Sequence, residues 1–244
     1  MSRVVVVVQA RMTSTRLPGK ILADVGGRPM LAVQLERLRA MRTASEVVVA
    51  TTRLSTDAPV AALCEQLGVR CVRGDEHDVL SRFVLAARET RADIVVRSTA
   101  DCPLVDTEVA DAVVRTLLQA PAADYASNVH PRTFPRGLDV EAMPVDTLAR
   151  LDRAATSRPS REHVTWFIHA ERPDLFERVN VQAESDYAAL RWTVDTPEDL
   201  AFVRAVDAAL GTATHALPWL QVARWLEAHP EVAALNQAVA QKAH

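Results

Sequence analysis

At 244 residues, 49% of them apolar, the chain is long enough to bury a substantial core, and disorder is excluded. A net charge of −3, from 28 basic and 31 acidic residues, excludes a broad nucleic-acid surface and makes any basic patch a local one. Three cysteines, Cys64, Cys71 and Cys102, lack metal-ligand spacing and read as reduced thiols. No stretch is apolar enough to span a membrane and no leader with a cleavage site is evident, so the expected location is cytoplasmic. No Gly/Ser or charged linker divides the sequence, which is read as a single domain over residues 1–244.

The first element is the run Val4–Val8, which suits a strand buried on both faces. It breaks into Gln9-Ala10-Arg11-Met12-Thr13-Ser14-Thr15-Arg16-Leu17-Pro18-Gly19-Lys20. Arg11, Arg16 and Lys20 supply charge there, Thr13, Ser14 and Thr15 supply hydroxyl donors, and Gly19 allows close backbone approach. At the carboxyl end of a strand such a loop suits an anion, and a nucleoside triphosphate is its natural guest. Neither G-x-x-x-x-G-K-[ST] nor G-x-G-x-x-G is present, so it is not a Walker loop or a dinucleotide turn. A solvated basic turn is the plainer alternative.

Pro29 then opens a helical pattern to Arg42, with Leu31, Leu35 and Leu38 on one side. Glu46 to Ala50 is a strand, Ser55-Thr56-Asp57 begins a helix that Gly68 ends, and Val69 to Val72 is a third strand. Asp78 starts a helix through Thr90, and Ala92 to Ser98 is a fourth strand. This alternation predicts an α/β fold with a Rossmann-like, mostly parallel sheet and right-handed crossovers. The next loop, Thr99-Ala100-Asp101-Cys102-Pro103-Leu104-Val105-Asp106, is expected to lie beside the basic loop and bring Asp101 next to Arg11. Asp106 reads as the N-cap of a helix to Gln119.

From Ala123, Pro/Gly punctuation interrupts the alternation, and residues 125–187 read as an inserted mixed β/α arm for acceptor binding and dimerisation. Helical stretches are expected around 146–154 and 161–170, with strands at Phe176 to Val181 and Leu190 to Val194. In Asp195-Thr196-Pro197-Glu198-Asp199-Leu200, Thr196 reads as an N-cap, Pro197 as the first helical residue and Asp199 as the third. Capping leaves Asp195 without a part. The tail from Pro218, with Trp219, Leu220, Trp225 and Leu226, reads as a packed helix.

The opening V-V-V-Q-A-R-M-T-S-T-R-L-P-G-K-I-L, followed by G-G-R-P-M-L, resembles the cytidylyltransferases that activate acidic sugars, the CMP-Kdo and CMP-acylneuraminate synthetase group. Within that group it is most similar to the branch named after spore coat polysaccharide biosynthesis protein F, whose characteristic segment Arg161-Glu162-His163-Val164-Thr165 matches, and the resemblance runs to about Gly211. It implies a nucleotidyltransferase-type fold, CTP as co-substrate, Mg2+, an acidic small-molecule acceptor and a homodimer, with neither nucleic acid nor membrane as partner. Arg97-Ser98-Thr99-Ala100-Asp101-Cys102 departs from the more Gln/Gly-rich loop of the Kdo and acylneuraminate enzymes, which leaves a carboxylated sugar and a phosphonate both open as acceptor.

Attack of an acceptor oxygen on the α-phosphorus of CTP needs alignment and charge neutralisation more than covalent help. The expected catalytic set is Arg11, Lys20, Asp101 and Asp195. Asp101 and Asp195 are the expected metal ligands, because Mg2+ takes one or two carboxylates beside phosphate oxygens; loop capping is the alternative. Arg11 and Lys20 are expected to hold the departing pyrophosphate. Gln9, Ala10, Thr13, Ser14, Arg16, Arg82 and Thr99 complete the nucleotide contacts, the resemblance placing the base near Thr99 and the backbone of Gln9 and Ala10.

Acceptor candidates are Arg97, Asn128, Arg136, Asp139, Glu141, Arg161 and His163. Arg161 or Arg136 suits a two-pronged anchor for a carboxylate or phosphonate, and His163 is either a general base or a packed helical residue. Cys102 has no partnered histidine and reads as a small buried residue. Two other functions compete. A nucleotide-sugar-dependent glycosyltransferase of polysaccharide biosynthesis would favour a D-x-D motif, which is absent, and a non-catalytic nucleotide-binding protein would be expected to lose one of the two aspartates.

Overall fold

The computed structural model describes residues 2–211 and 217–241. The valine run forms β1 (Val4–Gln9), an interior strand of a seven-stranded sheet. A 3-10 turn at Lys20–Leu22 follows Gly19, whose φ of 72° closes the basic loop. That loop is tied down at two points: Met12 N donates to Asp57 at 2.7 Å and Gly19 N to Met12 O at 3.0 Å. A short hairpin, β2 (Asp24–Val25) and β3 (Arg28–Pro29), leads into α1 (Met30–Arg39). The alternation continues through β4 (Glu46–Thr52), α2 (Ala58–Gln66), β5 (Arg70–Gly74), α3 (Val79–Thr90), β6 (Ile94–Thr99) and α4 (Thr107–Gln119).

β1 pairs in parallel with β4 and β6, and Gln9 stands level with Ala50 and Thr99, so the loops after β1 and β6 leave the same edge side by side. Five valines in a row are needed because both faces are covered. Val4, Val6 and Val8 pack into a core with α1 and α4, while Val5 and Val7 pack into a second core with α3.

Beyond β6 the sheet changes character. β7 (Tyr125–Ser127) and β8 (Glu141–Pro144) are antiparallel to each other and β8 is antiparallel to β6, so part of the span read as an arm extends the central sheet. α5 (Val145–Ala154) and α6 (Arg158–Glu162) follow, then β9 (Arg178–Asn180) on the sheet edge beyond β7. The helix expected over 161–170 is two pieces, because Val164 takes a left-handed φ of 52° between α6 and a π-helical turn at Phe167–Glu171. Leu190 to Val194 is extended but not a strand. Its backbone bonds to two different loops, Arg136 on one side and Asp101 on the other, so no ladder forms.

The chain closes with α7 (Pro197–Leu210), α8 (Trp219–Ala228), α9 (Pro230–Ala233) and a 3-10 turn at Ala234–Asn236. The caps form where the local pattern places them. Asp78 accepts from Ser81 N, Asp106 from Val109 N, and Thr196 with Asp199 makes a reciprocal capping box on α7. No described helix is long and apolar enough to cross a membrane.

Candidate active site

Lys20, 8% exposed, is the centre of the site. Its Nζ donates to Asp101 Oδ2 at 3.1 Å, Asp195 Oδ1 at 2.7 Å and the carbonyl of Val194 at 2.7 Å. Burial pulls the ammonium's pKa down, but the charges and hydrogen bonds of the two aspartates outweigh it and hold the pKa above the ordinary lysine value. Burial likewise pushes Asp195 up, and Lys20, Arg16 and Arg191 more than reverse this, so its carboxyl titrates below the usual range. Arg16 Nη2 lies 2.8 Å and Arg191 Nη2 3.0 Å from Asp195 Oδ2. Arg191 also grips the fully buried Asp199 through two contacts of 2.9 Å, and Asn236 of the C-terminal turn donates to the same carboxylate at 3.0 Å. Asp199 therefore both caps α7 and braces the arginine that holds Asp195.

Around this centre opens a cleft of about 640 Å³, walled by Gln9, Arg11, Thr13, Ser14, Thr15, Arg16, Lys20, Thr99, Asp101 and Asp195. Arg11 and Asp101 face this one space, yet Arg11's ion pair is with Glu162, at 3.7 Å. Thr99 Oγ1 donates to Asp101 Oδ1 at 2.6 Å, fixing that carboxylate's orientation. Ala10 and Arg82 lie outside the main cleft and line a cavity of about 100 Å³ beside it, with Gln9, Arg11 and His163. Arg82 is 2% exposed and donates to the carbonyls of Asp75 (2.5 Å) and Glu76 (3.0 Å), so it shapes the loop before α3.

A second cleft, of about 350 Å³, shares Gln9, Arg16, Thr99, Asp101 and Asp195 with the first. Its far wall carries Arg97, Arg132, Arg136, Asp139, Glu141 and His163. Arg97 is ion-paired with Glu141, which also accepts from the buried Tyr125 hydroxyl. Burial pushes Glu141 up, but Arg97 and the Tyr125 and Thr165 hydroxyls bring its pKa down to about 2. Arg132 grips Asp139 through both of its terminal nitrogens. The His130 and His169 rings stack at 4.2 Å, and burial lowers both pKa values, His169 to about 4.

Residues 5–217 match the family described as Cytidylyltransferase. The chain belongs to the cytidylyltransferase family. This cytidylyltransferase is 31% identical to the spore coat polysaccharide biosynthesis protein SpsF of Bacillus subtilis, over 84% of this chain and 87% of that one. It is 33% identical to the 3-deoxy-manno-octulosonate cytidylyltransferase of Bdellovibrio bacteriovorus, over 53% of this chain and 51% of that one. Among solved structures, a cytidylyltransferase from Leptospira borgpetersenii superposes with a TM-score of 0.91 at 29% identity, covering 100% of both chains. The α/β nucleotidyltransferase fold and the enzyme class inferred from the opening motif hold.

Two acceptor candidates of this cytidylyltransferase do not reach the second cleft. Asn128 is fully buried and spends its amide on Leu138 O at 2.7 Å and Val140 N at 2.9 Å, pinning the turn between β7 and β8. Arg161 is held by Asp78 at 2.5 Å and Asp152 at 3.0 Å, tying α6 to α3 and α5. Both are used up inside the fold, which spacing in the sequence does not reveal. Conversely, Arg132, His130, His169 and Trp166 line the second cleft without having been singled out. The seven-residue spacing of Arg132 and Asp139 across a Pro/Gly turn was a legible signal for that pair. Cys102 is buried, and burial first, then Asp101, drives its thiol pKa well up, so it is no thiolate nucleophile.

Proposed function

We propose that this cytidylyltransferase uses Mg2+ and CTP to convert a small acid, a sugar acid of the ulosonic or nonulosonic type or a phosphonate, to its CMP conjugate. An acceptor oxygen forms the new bond to the α-phosphorus as the bond to the bridging oxygen breaks, and pyrophosphate leaves. The observation that carries this is the convergence of Asp101 and Asp195 on one buried cation at the seam of two clefts. One cleft is rich in hydroxyls and cations, as a triphosphate requires; the other is lined by guanidinium groups, as an acid requires.

The donor set fits Mg2+. Both carboxylates already share a single cationic point, and among the described residues no group of three or more His, Cys, Asp or Glu could hold a metal, so phosphate oxygens would complete the shell. Bound there, Mg2+ supplies charge neutralisation and orientation of the α-phosphate. Lys20 has all three donors on Asp101, Val194 and Asp195, so its part is to hold the two carboxylates together. Arg11, Thr13 and Ser14 are left to meet the departing pyrophosphate. A homodimer formed through residues 125–187 belongs to this reading, and sedimentation as a monomer at assay concentration would remove it.

The test is pyrophosphate release with each of the four nucleoside triphosphates and a panel of acids. Release is expected with CTP above the other three. Asp101→Ala and Asp195→Ala should abolish it with circular dichroism unchanged, and turnover like the parent's in either variant would remove the metal assignment.

A further inference from the structure

The span that matches the family ends at residue 217, yet the chain returns to the reaction centre well past it. After α9, the 3-10 turn Ala234–Asn236 packs Asn236, 4% exposed, against the segment that carries Asp195. Its Nδ2 donates to the carbonyl of Arg191 at 2.8 Å and to Asp199 Oδ1 at 3.0 Å. Val239 N donates to Asn236 O at 3.0 Å, and two residues on, at the wall of the second cleft, Gln241 Oε1 accepts from Arg191 Nη1 at 2.5 Å.

These bonds converge on one side chain. Arg191 spends Nε and Nη2 on Asp199 at 2.9 Å each, Nη2 also on Asp195 Oδ2 at 3.0 Å, and Nη1 on Gln241. The backbone around it is fixed without the tail. Arg136 N donates to Leu190 O at 2.9 Å and Trp192 N to Arg136 O at 2.6 Å, while Gly137, at φ 108°, packs so tightly that a Cβ there would stand 2.6 Å from the Trp192 carbonyl carbon. Asp199 also accepts from Asp195 N at 2.9 Å and Thr196 N at 3.1 Å. What the tail adds is the setting of the guanidinium, because an arginine side chain is rich in rotamers and one held at Asp199 alone would keep an unspent Nη1.

That setting matters at Asp195. Its Oδ2 is taken by Arg16 and Arg191, and its Oδ1 faces Lys20 Nζ, the point shared with Asp101. On the reading that Mg2+ meets the two carboxylates there, we infer that Asn236 and Gln241 are positioning residues of the metal site: the C-terminal segment holds Arg191 on Oδ2, so that Oδ1 stays turned to the point where Lys20 and Asp101 meet. A guanidinium released on its Nη1 side would compete for the carboxylate oxygen that a metal needs. Outer partners of metal ligands typically set affinity or activity by about 10- to 100-fold, and Asn236 and Gln241, one bond further out, belong at the lower end. A plain structural clasp would tie the tail down and leave the metal untouched.

The experiment measures CTP binding to the full chain by isothermal titration at graded Mg2+ concentrations, and reads the half-saturating Mg2+ concentration. Asn236→Ala should raise it about tenfold, and Gln241→Met, which keeps the side chain's length and removes its acceptor, about fivefold. Neither substitution changes the charge. Gln241→Glu keeps an acceptor for Arg191 Nη1 and should stay within about twofold of the parent. Gln241 is exposed, so its two variants decide the matter if Asn236→Ala does not fold. An unchanged or lowered half-saturating Mg2+ concentration in Gln241→Met, an equal loss in Gln241→Glu, or a loss of CTP affinity that saturating Mg2+ does not restore would each overturn the inference. A parent chain that binds CTP regardless of Mg2+ would overturn the proposed function, and this inference with it.

Discussion

Replacing Lys20 by Met keeps most of the stem's volume and removes the ammonium that Asp101, Asp195 and Val194 share. Contacts of 2.7 and 3.1 Å are worth about 6 and about 5 kcal/mol in gross Coulomb energy at an effective dielectric of about 20, most of which offsets the cost of burying the charge. Asp195 keeps Arg16 at 2.8 Å and Arg191 at 3.0 Å, so the loss falls on Asp101. The Asp101 side chain is 28% exposed, and water recovers part of its solvation. The net cost should therefore be about 2 kcal/mol, below the range for fully buried pairs, and urea titration reads it. The same change should tighten binding of Mg2+ without nucleotide by about tenfold, read by isothermal titration, because no internal cation then bridges the two carboxylates. A Lys20→Met protein with stability within about 0.5 kcal/mol of the parent and no gain in Mg2+ affinity would refute the claim that ammonium and metal share one point.

Glu141→Gln should flatten the acid limb of the stability curve. The folded pKa of Glu141 is about 2 against an ordinary 4.5, so its stabilisation is fully present above 4.5 and fades as pH falls towards 2. That difference corresponds to about 3 kcal/mol, and urea midpoints at pH 7, 4 and 3 would show it; parallel curves for parent and variant would contradict it. Gly137→Ala should cost about 2–4 kcal/mol, since φ is 108° and the new Cβ would press on Trp192 and Thr193 backbone. Thermal unfolding reads this loss, and an unshifted midpoint would mean that the Arg136 turn is not locked to the Asp195 segment.

Much of the scaffold was written in short-range pattern. Five valines can only be satisfied by cover on both faces, Asp78, Asp106 and Thr196 stand one residue before the helices they cap, and the basic loop's composition marks an anion site wherever the strand places it. The caps rest on hydrogen bonds three residues apart, a range within which sequence order and spatial order coincide. Element boundaries failed where long-range packing decided them. Val164 adopts a left-handed backbone inside an apparent helix, and Leu190 to Val194 is held by two loops at once. The sequence alone therefore determined the parallel part of the sheet, the caps and the family to which the opening motif belongs. Only the tertiary structure decided which charges are spent. Lys20 meets carboxylates 81 and 175 residues away, Arg161 is neutralised by Asp78 from 83 residues away, and among the described residues the Arg136 guanidinium meets no carboxylate. Charge pairing acts through space over a few ångströms, so whether an arginine can hold a ligand depends on which distant carboxylate the topology has already brought to it.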